Sequence, residues 1–392
     1  MPMVRLLAGT SAVEGTVETV PLHVALNLVY LVPGETGGME TYARELIPRL
    51  GVRVTALVNR EAAGEDFGCE QVVVPVHARS RAQWVRGEQQ HVPRIAARLG
   101  ADLLHSLGST APLWGSVPRV TTIHDLNYRL VPGAHRGLAA RGMAVLVPAA
   151  ARRSRRVICD AASTREDLHL YLGLPREKVD VVPLGVSPAP AVRPTPEPEL
   201  RERLGLGDRR VLLCVSRKEP SKNLARLLRA VAAIPAERRP LLVVPGRPTP
   251  HETELRALAS ELRIDVAWPP WVGAEDLEGL YAIADVFAFP SLYEGFGLPV
   301  LEAMARGVPV VTSARGSLAE VAGDAALIAD PEDVGSLSEA IERAPTERAR
   351  LVPAGRERAA RFTWERTARL TEESYARALS RQAIASRTRR RS

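Results

Sequence analysis

Cysteine is scarce in this chain: three residues among 392, Cys69, Cys159 and Cys214. They stand far apart and show no CxxC spacing. That excludes a disulfide scaffold and a structural zinc site, and it makes the reducing cytoplasm the expected compartment. Cys214, inside the run VLLCVS, reads as a small buried hydrophobe. Aromatic residues are only 4% of the chain. No stacking motif is interleaved with the basic residues, so nucleic acid is not an expected partner despite a net charge of +7. No apolar run reaches the roughly 18 residues of a membrane helix. The opening residues MPMVRLLAGTSAVEGTVET lack a long apolar core and do not read as a signal peptide. HExxH, GxSxG, Walker A and GxGxxG are all missing.

What is present is alternation. Apolar runs trade places with helical segments: HVALNLVYLV, then METYARELIPRL, then VRVTALV, QVVVPV, ADLLHSLG and RVTTIHDL. Such alternation predicts an α/β fold, a parallel sheet covered by helices on both faces. Met39, Tyr42, Ala43, Leu46, Ile47 and Leu50 share one helical face. Ser163 to Glu166, STRE, has the spacing of a capping box. At VSPAPAVRPTPEPEL, residues 186–200, five prolines interrupt the pattern and suit a stiff linker. A second alternation follows: RRVLLCVS, PLLVVPG, RIDVAW, DVFAFPS and VPVVTS with helices between. Two Rossmann-like domains are expected, residues 1–187 and 188–392, facing a cleft. A terminal helix spans about 364–385, and a disordered basic tail, SRTRRRS, ends the chain. Chemistry belongs in the cleft, at the carboxyl ends of the strands.

One stretch is denser in function than any other: SLYEGFGLPVLEAMARG, Ser291 to Gly307. The strand-like DVFAFPS precedes it. Pro299 suits the first turn of the next helix and Gly307 its end. The glycines of LYEGFG allow backbone to approach a ligand, and the helix N-terminus beyond them suits phosphate. Glu294 lies in the turn and Glu302 about one helical turn in. Both read as acceptors of hydrogen bonds from sugar hydroxyls on either side of a diphosphate. The plainer alternative is a glycine-rich loop with a capping acid.

EGFGLPVLEAMARG resembles the E-x7-E signature of retaining glycosyltransferases of the GT-B fold, family 4 in particular. The flanking YAIADVFAFPS and GVPVVTS resemble the same family. The resemblance runs from about Leu22 to Leu379. It implies that Arg217 and Lys222, in SRKEPSKNLARLL, hold the diphosphate of a nucleotide-sugar donor. Taken alone they read as solvated surface cations, and Asn223 beside them as a helix cap. It implies that Gly37 and Gly38, in PGETGGMETYAREL, form a loop whose amides face the donor phosphate and the acceptor. It implies that His124, at the end of TTIHDLNY, contacts the donor hexose. A His–Asp pair bracing a loop is the alternative there. Asp125 is an acid or base only if geometry allows it. His105 and Ser109 line the acceptor side or form a structural turn. Trp271 and Val272 cradle the nucleobase or pack into the core.

By the same resemblance the donor side comprises Gly295, Phe296, Gly297, Leu298 and Glu302, and Glu294, His124, Arg217 and Lys222 carry the chemistry. The family retains anomeric configuration. No Asp-x-Asp occurs, so no metal and no cofactor is expected. The expected partners are a nucleotide-sugar donor and a small-molecule or glycan acceptor; no oligomeric state is specified. An Ala/Arg-rich composition suits bacterial natural-product pathways. A lipid or polysaccharide acceptor at the inner membrane face would call for an amphipathic basic helix. The one candidate, ARGMAVLVPAAARRSRR, reads equally well as a buried helix with a basic end. A non-catalytic nucleotide-sugar binder or a sugar-nucleotide epimerase on the same architecture is the remaining alternative.

Overall fold

The computed structural model describes residues 21–131, 138–187, 192–270 and 272–389. The first twenty residues, Trp271 and the last three residues of the basic tail therefore lie outside the described part.

Each alternation builds its own parallel sheet. The first contains β1 (His23–Leu28), β2 (Arg53–Val58), β3 (Glu70–Val73), β4 (Leu103–Ser106), β5 (Arg119–Thr122), β6 (Arg156–Cys159) and β7 (Val179–Val181). Their order is β3-β2-β1-β4-β5-β6-β7. The second contains β8 (Val211–Leu213), β9 (Leu241–Val243), β10 (Val266–Ala267), β11 (Val286–Phe289), β12 (Val310–Thr312) and β13 (Leu327–Ile328), ordered β10-β9-β8-β11-β12-β13. Every pairing is parallel. Helices cover both faces, so the inner strands are buried on both sides; all six residues of β1 are buried, His23 and Asn27 included. The helix Gly38–Leu46 turns Tyr42, Ala43 and Leu46 into the core, as its periodicity requires. β6, β7 and β13 are two to four residues long and fall outside the runs read from the sequence.

Strand order reverses direction twice, between β1 and β4 and between β8 and β11. These switch points leave a crevice at the carboxyl ends of the strands. The loops after β8 and β11 carry Lys222 and Glu294. The loops after β1 and β4 carry Gly37, Gly38 and Ser109.

The chain passes between the halves twice, and the crossings touch. Val186 N–H donates to the Phe362 carbonyl at 3.0 Å. A Cβ on Gly185 would stand 2.3 Å from the Trp364 backbone nitrogen, so only glycine fits there. The last helix, Trp364–Arg389, follows the second half in sequence but packs on the first. Tyr375 meets His105 on β4, and Ser374 Oγ donates to Asp180 on β7 at 2.7 Å. It runs through Arg389, so four residues that the sequence reading placed in a disordered tail belong to the helix.

The expected capping box at Ser163–Glu166 is not formed. The helix starts at Ala162, Ser163 Oγ is buried without a partner, and Glu166 pairs with Arg176. Its first amides are capped from the other half of the chain instead. Glu320 accepts from Ala162 N–H at 2.9 Å and Ser163 N–H at 3.3 Å. A carboxylate across the cleft does what a local side chain was expected to do.

Candidate active site

The centre of the site is an ion pair at the second switch point. Lys222 Nζ lies 2.6 Å from Glu294 Oε1, with only 17% and 12% of the side chains exposed. Burial works against the Lys222 charge, but the Glu294 carboxylate more than offsets it and holds the ammonium above its ordinary range. Lys222 ends a short 3-10 turn, Pro220–Lys222. Asn223 next to it adopts a left-handed conformation (φ 60°) at the start of the helix Leu224–Ala233. It makes no side-chain cap. Its amide donates to the carbonyls of Pro290 and Pro331, at 3.1 and 2.6 Å, which ties the Lys222 loop to the glutamate turn. The Leu292 N–H donates to the Ser221 carbonyl at 2.9 Å and adds a second tie.

The glutamate turn is held from behind. Ser317 donates to the Glu294 carbonyl from both its amide (3.1 Å) and its hydroxyl (3.0 Å). Its hydroxyl also lies 2.7 Å from the Phe296 carbonyl. With the carbonyls anchored, the amides of Gly295, Phe296 and Gly297 donate to no acceptor among the described residues. Gly297 has φ +104° and opens the helix Leu298–Ala305, with Pro299 in its first turn and Gly307 at φ +74° past its end. Three unpaired amides running into a helix N-terminus make an electropositive cradle beside the Lys222–Glu294 pair.

Glu302, the second acid, is on that helix. Tyr281 Oη donates to its Oε2 at 3.0 Å, and burial pushes its carboxyl above the usual range. Phe296 is buried edge-on against Phe362. Leu298 reaches the other half, where a Cβ on Gly38 would lie 3.9 Å from its Cδ1. The Gly37–Gly38 turn therefore faces the glutamate helix. Val272 packs against the apolar core. Arg217 is not drawn into the pair: it is 68% exposed and bonds Glu219 at 3.1 Å. The neighbouring Lys218, which sequence reading passed over, is fully buried instead, with its Nζ 2.6 Å from the Gly246 carbonyl.

The opposite wall comes from the first half. His124 follows β5, is 14% exposed and makes two close contacts: Nδ1 to Asp160 Oδ2 at 2.7 Å and Nε2 to the Leu107 carbonyl at 2.9 Å. Asp125 is engaged with the Asn127 amide and side chain, at 2.9 and 2.7 Å. Ser109 holds φ 65° and donates its N–H to the Thr122 carbonyl. His105 faces the core rather than the cleft. It is fully buried between Tyr375 and Thr122, each at 2.8 Å, and burial drops its pKa to about 3, so it is neutral.

The two walls touch. A Cβ on Gly295 would lie 2.0 Å from the His124 carbonyl oxygen. Thr164 Oγ1 donates to the Gly295 carbonyl at 3.3 Å, and Tyr293 Oη to Asp167 Oδ2 at 2.5 Å. Asp160, Ser317 and Glu320 were not found by sequence reading. Each acts only through partners far away in the chain, so no local motif marks it.

The family model "Glycosyltransferase Family 4" matches residues 36–189, and "Glycosyl transferases group 1" matches residues 196–359. A D-inositol 3-phosphate glycosyltransferase of Acidothermus cellulolyticus is 31% identical over 94% of this chain and 93% of its own. This chain belongs to glycosyltransferase family 4. Among its other relatives, O-antigen chain mannosyltransferase B of Escherichia coli is 32% identical over 62% of this chain and 66% of that protein. Sucrose-phosphate synthase from Thermosynechococcus elongatus shares the fold, with a TM-score of 0.74 at 23% identity over 93% of this chain and 100% of that one. HepE of Anabaena, solved with UDP-glucose, aligns with a TM-score of 0.72 at 19% identity over 91% and 99%. The two parallel sheets of this family 4 glycosyltransferase thus form the GT-B architecture.

Proposed function

We propose that this glycosyltransferase moves a hexose-type sugar from a nucleoside diphosphate sugar to a hydroxyl of a small molecule, with retention at the anomeric carbon. The observation that carries the reading is the Lys222–Glu294 pair beside the unpaired amides of Gly295, Phe296 and Gly297. The difficulty of the reaction is the departure of a diphosphate from the anomeric carbon. As the C1–O bond breaks, its electron pair passes to the phosphate oxygen. Lys222 and the end of the helix Leu298–Ala305 face that growing charge already oriented, which is where preorganised charge lowers a barrier most. The Glu294 carboxylate and the cradle amides hold sugar hydroxyls, and Glu302 takes the ribose. The acceptor oxygen bonds C1 on the face the diphosphate leaves, and its proton passes to the departing phosphate oxygen. Charge neutralisation is assigned to these groups, with no resident metal or cofactor. Among the described residues no cluster of three or more His, Cys, Asp or Glu could hold a metal ion.

The relatives support the donor class. HepE was solved with UDP-glucose, and relatives of this chain are named O-antigen chain mannosyltransferase B and D-inositol 3-phosphate glycosyltransferase, the second a name that contains D-inositol 3-phosphate. That compound is a small hydroxylated molecule. Contact between the walls at Gly295 would serve to keep water, an acceptor in its own right, from the donor.

A lipid-linked acceptor is the second reading. Val145, Leu170 and Tyr171 stand exposed on the helices Leu138–Arg153 and Ala162–Leu172, with Arg129 over the Tyr171 ring. No helix among the described residues is long and apolar enough to cross a membrane. Sedimentation with anionic liposomes separates the readings: no binding sinks the lipid one.

A thermal-shift screen of nucleoside diphosphates and their sugars tests the donor. The expected result is stabilisation by one base series, followed by diphosphate release that rises with a hydroxylated acceptor. Proton NMR of the first-formed product reads the anomeric configuration. No stabilisation by any nucleotide sugar, together with no release, would overturn the reading. A changed sugar without transfer would point to an epimerase.

A further inference from the structure

Asp160 closes β6 and has no part in the donor chemistry above. It is 2% exposed, and its Oδ2 lies 2.7 Å from His124 Nδ1. The other ring nitrogen, Nε2, lies 2.9 Å from the Leu107 carbonyl. A neutral imidazole has one donor nitrogen and one acceptor nitrogen. A carbonyl can only accept, so Nε2 carries a proton. Burial raises the Asp160 carboxyl, while the charge on His124 draws it back toward the ionised form; an ionised carboxylate can only accept as well, so in the ion pair Nδ1 carries a proton too. We propose that Asp160 is a positioning residue for glycosyl transfer, fixing His124 as a doubly protonated cation whose ring cannot rotate in the cleft wall.

The surroundings pull both ways: burial and Asp125 work against an ionised Asp160, and the His124 cation works for it. Asp125, on the same loop, adds negative charge. His105 on β4 is neutral and does not compete. The Tyr42 ring, from the helix Gly38–Leu46, meets the imidazole edge-on at 5.2 Å and restricts its rotation. Burial disfavours a charged imidazole, but the Asp160 carboxylate and the Leu107 carbonyl outweigh it and hold His124 above the usual histidine range.

Two consequences follow. His124 cannot be a general base, because both nitrogens are protonated and engaged. And a locked ring holds the His124 backbone, whose carbonyl oxygen meets Gly295 across the cleft. The cation then sits as a fixed charge in the wall that meets Gly295. The inference rests on the proposed transfer reaction only for its kinetic readout.

Histidine-selective 15N labelling tests it, with the His124 signals assigned by their loss in His124→Gln. Both ring nitrogens should show the protonated signature at pH 7.5 in the wild-type chain. In Asp160→Asn burial is no longer offset by the carboxylate, and the ring should titrate below the ordinary value of about 6.5. Rates of nucleoside diphosphate release, with or without acceptor, give the second readout. The sign is set by the cation: it persists below the His124 pKa and is lost above it. Wild-type kcat should hold from pH 6 to 8, kcat of Asp160→Asn should fall at least about 25-fold over the same range, and Asp160→Glu should restore the wild-type profile. A purely structural role would give a loss independent of pH. A neutral ring in the wild-type chain, or an unchanged profile in Asp160→Asn, overturns the proposal. If Asp160→Asn does not fold, the wild-type ring signals decide alone. A charged ring in a chain that releases no diphosphate counts against the transfer reading and not against the ion pair.

Discussion

Residue 295 has no side chain because the carbonyl oxygen of His124 occupies the place where one would begin. The ideal Cβ would lie 2.0 Å from that oxygen and 2.8 Å from Asp125 Cβ. The contact joins the glutamate turn of one sheet to the wall of the other, and neither sheet requires it on its own. Gly295→Ala should therefore force the walls apart rather than unfold either sheet. Diphosphate release should fall at least about tenfold, equivalent to roughly 1.4 kcal/mol of barrier. The circular dichroism spectrum should stay unchanged. Wild-type activity in Gly295→Ala would show that the walls need not touch during turnover.

Lys222 and Glu294 should be separable into a stability role and a catalytic one. Removing either partner leaves a charge with little solvent and no counterion, which destabilises the fold. Lys222→Ala and Glu294→Gln should each lower kcat by about 10²–10³, the scale of losing one preorganised charge contact. The double variant should recover part of the lost melting temperature but none of the activity. Recovery of activity in the double variant would assign the pair to structure alone.

Glu320 caps the helix Ala162–Leu172 from across the cleft. Its carboxylate is exposed, so the contribution is modest, about 0.3–1 kcal/mol, and is screened by salt. Glu320→Gln should shift the balance toward open forms by a factor of about 2–5. Small-angle scattering should show a larger mean radius of gyration, and the donor KM should rise by a similar factor. High salt should move the wild-type chain in the same direction and the variant much less.

Glu88 is a buried acid in a π-helical turn, Gly87–His91. Asn27, Thr110 and Gln89 donate to it, but burial dominates and raises its pKa from 4.5 to about 7. A raised acid pKa means that the folded state holds the proton more tightly than the unfolded state. Stability is then fully present below about 4.5 and is lost as pH rises through about 7. Glu88→Gln should remove this component, on the order of 3 kcal/mol at most. Urea unfolding at pH 5 and pH 8 measures it: the drop between the two should be smaller in the variant. Equal drops would show that Glu88 does not titrate in this window.

The strand–turn–helix unit at the proposed donor side was legible because its determinants are local. Glu294, the two glycines, Pro299 and Gly307 describe one strand–turn–helix unit within seventeen residues. Lys222 was legible by resemblance, and the structure sets it against Glu294. Arg217, from the same motif, stands in solvent beside Glu219 instead. The capping box at Ser163 and the cap at Asn223 misled for one reason. Both have the right residue type at a helix start, but a partner more than 60 residues away competes for the same groups. Local propensity is a weak preference, and tertiary contacts override it.

By itself, then, the sequence determined what short-range physics can encode. The alternation of apolar runs and helices dictated two parallel sheets, and the glutamate turn dictated a phosphate-ready helix end. Only the tertiary structure decided what depends on distant segments meeting. It set the last helix on the first sheet through Tyr375 and Ser374. It paired Asp160 with His124, 36 residues away, and brought Glu320 to a helix 158 residues earlier. A side chain that works through space carries no mark in its own neighbourhood. Its role exists only once the chain has closed.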